Sequence, residues 1–185
     1  MHIALTYLLE VLASLFGGAC LLRAYTNYHG IPLQSPLGRV IASLTDWAVL
    51  PLRRMLPKMG RLDLASLLVA FAVKAIQFGI QNVWLGGGLW VWLEMTAVGL
   101  VQLICTLITV VMIALVLMSW LRGDPDVYDW LQRVGAPLLR PVQRLIPPLG
   151  NVDLSPLIWT LGAQMFSRSL DHWQDQWLQR TLLVV

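Results

Sequence analysis

One segment of this chain occurs twice. A shift of 90 positions aligns PLRRMLPKMGRLDLASL, which begins at Pro51, with PVQRLIPPLGNVDLSPL, which begins at Pro141. The identical pairs are Pro51 and Pro141, Arg54 and Arg144, Pro57 and Pro147, Gly60 and Gly150, Asp63 and Asp153, Leu64 and Leu154, and Leu67 and Leu157. Such an internal duplication predicts two structural repeats, which we place at residues 1–88 and 89–185.

The composition indicates an integral membrane protein. Of 185 residues, 57% are hydrophobic and 12% are charged, which is more apolar surface than a soluble domain of this size can bury. The formal net charge of +3 is small for a nucleic-acid-binding protein, so no nucleic-acid partner is expected. Cys20 and Cys105 lie in apolar runs without a neighbouring cysteine and are expected to pack as small hydrophobic residues.

Four segments are candidates for bilayer-spanning helices, at residues 3–22, 64–85, 89–121 and 154–170. The third is longer than a bilayer requires, so its span is placed at 92–121, and the fourth is close to the lower length limit. Gly86, Gly87 and Gly88 predict a tight turn between the second and third spans. Trp84, Trp90 and Trp92 are expected to form an interfacial aromatic belt around that turn.

The distribution of basic residues predicts the orientation. Arg23, Arg39, Arg53, Arg54, Lys58 and Arg61 lie between spans one and two, and Arg122, Arg133, Arg140 and Arg144 lie between spans three and four. The glycine turn contains neither Lys nor Arg. The positive-inside rule therefore places both long connections in the cytoplasm and both termini outside, so the repeats are expected to be parallel.

Each cytoplasmic connection contains an amphipathic segment with helical spacing of its apolar residues. Ser35 is expected to cap the first helix and Pro36 to open it, and Asp126 is expected to cap the second. Helices of this kind suit the plane of the membrane interface, with their apolar side toward the acyl chains. We therefore expect an all-α fold with four transmembrane helices and two interfacial helices.

The repeated stretch predicts a rigid elbow between each interfacial helix and the next span. One proline opens a short helix, a second ends it, a glycine permits a turn with positive φ, and an aspartate caps the span. These residues are Pro51, Pro57, Gly60 and Asp63 in the first copy, and Pro141, Pro147, Gly150 and Asp153 in the second. A purely architectural role accounts for all of them.

A functional alternative for the elbows rests on their basic side chains. These are Arg53, Arg54, Lys58, Arg140 and Arg144. Clustered on the cytoplasmic side, they would bind anionic lipid headgroups or a protein partner.

Polar residues follow one face of each predicted span. They are Thr6, Glu10 and Ser14; Lys74, Gln77 and Gln81; Glu94, Gln102, Cys105 and Thr109; and Thr160, Gln164, Ser167 and Asp171. Glu10, Lys74, Glu94, Gln102 and Gln164 are the candidate functional residues. The first three are ionisable groups, which are costly inside a membrane and often functional, and the two glutamines belong to the same polar seams. Glu94 is a candidate partner of Lys74, although their depths differ by about 9 Å. The two hypotheses for these seams are helix-packing contacts and a hydrated path for an ion or proton.

Familiar catalytic motifs are absent from the sequence. It contains no P-loop, GxSxG, HExxH or haem-attachment motif, and His2, His29 and His172 lack metal-ligand spacing. We therefore expect neither an enzyme nor a cofactor or metal site.

The doubled stretch, PLRRMLPKMGRLDLAS and LLRPVQRLIPPLGNVDLSP, resembles the repeat of the YggT family of small bacterial membrane proteins, called YlmG in chloroplasts and cyanobacteria. The resemblance covers nearly the whole chain, although the first copy has Ala65 and Ser66 where the second has Ser155 and Pro156. It implies an inner-membrane protein without demonstrated catalysis. Family members are linked to osmotic-shock recovery and ion homeostasis, and plastid members to cytochrome b6 assembly and to nucleoid or division organisation.

Two functions from different classes remain open. The first is a membrane scaffold or assembly factor that docks lipids, other membrane proteins or copies of itself. The second is a small ion channel or transporter component that uses the seam around Lys74 and Glu94. A lysine facing an interior cavity favours the second, and a lysine sealed against Glu94 favours the first.

Overall fold

A computed structural model describes residues 2–56, 62–121, 124–145 and 153–182 of the chain. The regular elements of these ranges are α-helices, as the sequence predicts. They are α1 (His2–His29), α2 (Pro36–Met55), α3 (Leu64–Leu85), α4 (Leu89–Leu121), α5 (Pro125–Leu145) and α6 (Ser155–Leu182). Each repeat contributes a long helix, an amphipathic helix and a second long helix. The predicted elbow residues Pro57, Lys58, Gly60, Pro147 and Gly150 lie outside the described residues.

Three of the helices are long and apolar enough to cross a membrane. They are α1 over Ala4–His29, α3 over Leu64–Trp84, and α4 over its full length. The last helix, α6, continues beyond the predicted end at residue 170 and includes polar residues such as Asp171 and Gln174. Its polar second half distinguishes it from the other three, and its predicted span at 154–170 stays a prediction.

The two repeats run in the same direction. Lys74 contacts Ser14, and Asn27 contacts Asp63, so α1 and α3 pack antiparallel. In the second repeat Gln102 meets Asp171, while Trp159 packs near the other end of α4, so α4 and α6 are antiparallel as well. Because α3 and α4 form a hairpin, α1 is parallel to α4 and α3 is parallel to α6. This agrees with the predicted parallel repeats.

The hairpin between α3 and α4 turns at the glycines. Gly86 adopts a φ of 67°, and the amide of Gly87 donates to the carbonyl of Asn82 over 3.1 Å. Trp90 is 79% exposed, as expected for an interfacial residue. The prediction for Trp92 was wrong, because its indole turns inward and donates to the carbonyl of Ala75 over 2.8 Å.

Local rules for the amphipathic helices were only partly correct. The Ser35 hydroxyl accepts from the Gly38 amide over 3.0 Å, which confirms the predicted cap of α2. The second helix begins two residues earlier than predicted, because Asp124 rather than Asp126 provides the cap by accepting from the Asp126 amide over 2.9 Å.

The predicted short helices that begin at Pro51 and Pro141 were also wrong. Both prolines lie inside continuous helices, α2 and α5. A proline within a helix leaves one carbonyl without its usual donor, and both prolines are exposed, where that loss costs least. The amphipathic helices therefore extend directly to Met55 and Leu145, at the elbows.

The apolar core has two main clusters, one around each amphipathic helix. The first cluster centres on Met112 and Leu115 of α4 with Trp130 and Val134 of α5. The second packs α2 against the elbow end of the α1 and α3 pair, and includes Val49, Cys20, Ala65, Val69, Ala70 and Leu103 of α4. Both clusters lie on the elbow side of the molecule. On the side of the glycine turn, a smaller cluster of Phe78, Val91 and Met95 lies beside the polar side chains of the bundle.

Candidate functional site

A polar cavity of about 280 Å³ lies between α1, α3, α4 and α6. Its lining residues are Glu10, Ser14, Lys74, Gln77, Phe78, Gln81, Met95, Gln102, Leu103, Thr106, Asp171 and Gln174. Each repeat therefore contributes two helices to the cavity wall. Three of the candidate residues, Glu10, Lys74 and Gln102, meet here as predicted from their helical faces.

Lys74 is the central charged group of this cavity. Its side chain extends from the middle of α3 and the residue is only 5% exposed. The ammonium donates to Gln77 Oε1 over 2.8 Å and to Ser14 Oγ over 3.3 Å, and lies 5.7 Å from the centre of the Phe78 ring. Neutral oxygens and an aromatic face thus solvate the charge in place of bulk water.

The structure does not pair Lys74 with Glu94. Among the described residues Lys74 has no ion pair, and Glu94 is half-buried outside the cavity. The lysine instead donates to Gln77 on its own helix and to Ser14 on α1. The carboxylate of Glu10 lines the same cavity, and its charge interacts with that of Lys74.

The second repeat contributes a hydrogen-bonded pair to the opposite wall. Gln102 Nε2 donates to Asp171 Oδ1 over 2.6 Å. Asp171 followed the polar face of the fourth segment but lay beyond its predicted end, so sequence reasoning did not select it. Gln164, which was selected, is exposed on α6 and does not line the cavity.

Apolar packing borders the cavity on the elbow side. Leu103 lines the cavity and also belongs to the apolar cluster with Cys20 and Val69. A Cβ atom on Gly17 would lie 3.0 Å from the Leu103 side chain, so glycine permits this close approach. Leu103 thus joins the cavity lining to this cluster, and Thr106, about one helical turn farther along α4, also lines the cavity.

The first elbow centres on the buried carboxylate of Asp63, which caps α3. It accepts hydrogen bonds from Arg53, from Asn27 over 2.7 Å and from the Ser66 hydroxyl over 2.7 Å. Burial, the largest single influence, opposes ionisation of Asp63. The Arg53 and Ser66 hydrogen bonds, the charge of Arg53 and the Asn27 hydrogen bond together outweigh it and lower the pKa of Asp63 to about 2.

In the second elbow, the neutral side chain of Gln143 takes the place of the arginine in this contact. Asp153 accepts from Gln143 over 2.8 Å and from the Ser155 amide over 2.9 Å. Burial raises the pKa of Asp153, but the hydrogen bonds from Ser155 and Gln143 outweigh it, so the net shift is downward. Both aspartates therefore interact with the first turn of the following helix.

The basic residues near the elbows differ in their surroundings. Arg53 forms the ion pair with Asp63. Arg54, Arg140 and Arg144 are exposed and form no ion pair with any residue that the structure describes. The predicted basic cluster is thus divided between an elbow contact and free surface charges.

Sequence reasoning missed a buried arginine. Arg23 was treated as a loop charge that marks topology, yet it lies inside α1 and is 5% exposed. Its guanidinium donates to Thr45 Oγ1 and to Asp46 Oδ1, both over 2.7 Å. The spacing of Asp46 on the polar side of α2 was the available signal, but it did not reveal the neighbouring helix.

Comparison with known proteins identifies the family. The sequence profile described as CCB3/YggT matches residues 2–84 and, a second time, residues 95–174. This chain belongs to the CCB3/YggT family. The double match confirms both the predicted YggT resemblance and the two repeats, whereas the exact repeat boundary at residues 88 and 89 stays a prediction.

Full-length relatives support the assignment to the YggT family. The chain is 32% identical over 167 residues to uncharacterized protein YggT of Escherichia coli K12, covering 85% of this chain and 84% of that one. An uncharacterized protein of Pseudomonas aeruginosa is 28% identical over 176 residues, covering 89% and 87%. One from Vibrio alginolyticus is 25% identical over 166 residues, covering 87% and 90%. No solved structure matches the chain significantly.

Proposed function

We propose that this YggT-family chain is a non-enzymatic protein of the bacterial inner membrane that takes up an ion or small polar solute in the cavity around Lys74. The uptake would serve ion homeostasis during osmotic stress. The observation that carries the proposal is the placement of Lys74, whose buried ammonium faces a polar cavity of about 280 Å³ instead of a sealing carboxylate.

The energetic argument is that an intramembrane charge is costly and needs a compensating environment. A lysine at the centre of a spanning helix costs about 2.5–3.5 kcal/mol on insertion scales. Helix packing alone could be achieved by neutral residues such as Gln77 and Gln102. A lysine kept at this position, beside the carboxylates of Glu10 and Asp171, is better explained by a role in attracting or excluding ions.

Apolar packing around Leu103 borders the cavity on the elbow side. An ion that enters from the glycine-turn side would stop at this apolar cluster. Passage to the elbow side would then require α4 to move away from α1, where Leu103 packs against Gly17. The distribution of basic residues predicts that both termini and the glycine turn face the periplasm, so the cavity would open to that side.

The experiment that tests this function compares ion flux in proteoliposomes containing the wild-type protein, Lys74→Met or Arg168→Gln. Arg168 is exposed on α6 outside the cavity and serves as the matched control. Removing the ammonium leaves Glu10 and Asp171 as the charged lining groups. We expect Lys74→Met to raise rubidium flux relative to chloride flux, and Arg168→Gln to change neither. No difference between wild type and Lys74→Met would refute the proposal.

Exposed basic residues favour the scaffold function as a second candidate. Arg54, Arg140 and Arg144 are unpaired within the described part of the chain and lie near the ends of the two amphipathic helices. Such charges would hold an anionic lipid surface or an acidic partner against α2 and α5. Replacing all three by Glu would release that partner on co-purification, and an unchanged set of co-purified proteins and lipids would argue against docking.

A further inference from the structure

A second cavity, also of about 280 Å³, lies where the start of α2 meets the start of α5. It is separate from the Lys74 cavity and sits at the opposite end of the spanning helices. The indole of Trp130 forms part of its lining and donates to the carbonyl of Pro32 over 3.0 Å. This hydrogen bond joins the two repeats and holds the cavity walls together.

Four charged side chains line this cavity, and they form no ion pairs with one another. They are Arg39 on α2, and Asp126, Asp129 and Arg133 on α5. All four are exposed, and none forms an ion pair or side-chain hydrogen bond with another described residue. The cavity therefore has a net charge of zero, with two positive and two negative groups whose hydrogen-bonding capacity is unused.

The neighbouring surface of α2 is apolar and suited to lipid. Val40, Leu44 and Trp47 recur at helical spacing immediately after Arg39, and they are 60%, 46% and 71% exposed. An exposed apolar stripe on an amphipathic helix indicates contact with acyl chains. Arg39 thus lies at the polar end of a surface that fits a lipid tail.

We propose that this cavity binds the zwitterionic phosphoethanolamine group of a phospholipid. The guanidinium groups of Arg39 and Arg133 bind the phosphate, since arginine presents paired donors to phosphate oxygens. The carboxylates of Asp126 and Asp129 bind the ammonium. An anionic headgroup would satisfy the arginines but would leave both carboxylates facing a negative charge, so a zwitterion fits the lining better.

The test measures binding to the detergent-solubilised full chain by titration calorimetry with short-chain lipids. The probes are dihexanoylphosphatidylethanolamine, dihexanoylphosphatidylglycerol and free phosphoethanolamine. We expect the wild type to prefer the ethanolamine lipid. Replacing both Arg39 and Arg133 by Gln should weaken binding of both lipids by about tenfold or more. Replacing Asp126 and Asp129 by Asn should abolish the preference, and Arg168→Gln should change nothing.

The outcomes separate the alternatives. Unchanged affinity after the arginine replacements, or a preserved preference after the aspartate replacements, would overturn the proposal. Equal binding of free phosphoethanolamine and of the lipid would overturn the membrane source. Should the arginine variant fail to fold, judged by circular dichroism and gel filtration, the aspartate variant decides the assignment by itself. Both readouts are independent of ion flux and of the role proposed for Lys74.

Discussion

Gln143 donates a hydrogen bond to Asp153 over 2.8 Å and thereby joins α5 to the start of α6. One repeat earlier, the same positions are held by Arg53 and Asp63, which form an ion pair between α2 and the start of α3. Both elbows therefore contain this contact, but its donor is a charged arginine in the first and a neutral glutamine in the second. The arginine at the next position, Arg144 in the second copy and its equivalent in the first, is identical between copies but exposed.

The charged elbow predicts a stability loss on removal of its carboxylate. Replacing Asp63 by Asn should lower the free energy of unfolding by about 1–3 kcal/mol, because a helix cap and a charge-assisted hydrogen bond are both weakened. Equilibrium unfolding by SDS in mixed micelles measures this. Asp153→Asn, in the neutral elbow, is the matched control and should cost less. An equal or larger loss for Asp153→Asn would contradict the comparison.

Acid should remove the same stabilisation in the wild type. The pKa of Asp63 is about 2 in the folded protein, compared with an ordinary value of 3.8. A lowered folded-state pKa means that the stabilisation is complete above about pH 4 and is lost as the pH falls toward 2. The difference in unfolding free energy between the wild type and Asp63→Asn should therefore shrink across that interval. A difference that stays constant from pH 6 to pH 2 would contradict it.

A charged donor in place of Gln143 should strengthen the second elbow. Gln143→Arg would reproduce the first-repeat ion pair at Asp153, and we expect a gain of about 0.5–1 kcal/mol, as is typical of partly exposed pairs. The same substitution made together with Asp153→Asn should give no gain. A gain that survives without the carboxylate would show that the arginine acts elsewhere.

Gly99 should be intolerant of any side chain. A Cβ atom at this position would lie 2.0 Å from Phe78 Cε2, so the Phe78 ring or the helix that carries it would have to shift. We expect Gly99→Ala to destabilise the protein by about 1–3 kcal/mol, and a second change, Phe78→Leu, to recover part of it. Gly162→Ala on α6 is the control, since no atom lies within 4 Å there. A loss of stability for Gly162→Ala as large as that for Gly99→Ala would contradict the steric explanation.

Leu103 should act as the seal of the Lys74 cavity. Leu103→Ala is expected to raise basal ion flux in proteoliposomes, because it removes the apolar side chain that both lines the cavity and belongs to the apolar cluster beside it. Leu115→Ala, in the cluster between α4 and α5, should lose comparable stability, about 2–5 kcal/mol, without a gain in flux. Equal flux for the two variants would show that Leu103 has no sealing role.

Features that depend on a few neighbouring residues could be read directly from the sequence. Ser35 caps α2 because a hydroxyl before a proline-opened helix has a nearby amide to accept from. Gly86 turns the hairpin because positive φ suits glycine. The prolines show the limit of such rules, since Pro51 lies within a helix whose amphipathic packing tolerates the lost hydrogen bond.

Features that depend on which helices are neighbours could not be read in this way. The hairpin suggested Glu94 as the partner of Lys74, but the ammonium donates to Gln77 on its own helix and to Ser14 on α1. The ion pair of Arg23 was not predicted for the same reason, because only the packing of α2 onto α1 brings Asp46 close to it. Helical spacing predicts the face on which a polar side chain lies, whereas contacts between helices distant in sequence decide what that face meets.

The composite lining of the Lys74 cavity bears on the evolutionary origin of the site. The α1 and α3 helices of the first repeat form one half of the wall, and α4 and α6 of the second form the other. In an ancestor with one repeat per polypeptide, the enclosure could form only between two subunits, each bringing the same residue to its half. A chain that carries both repeats is free of that symmetry constraint: residue 74 is a lysine that lines the cavity, whereas the aligned residue 164 is a glutamine outside it.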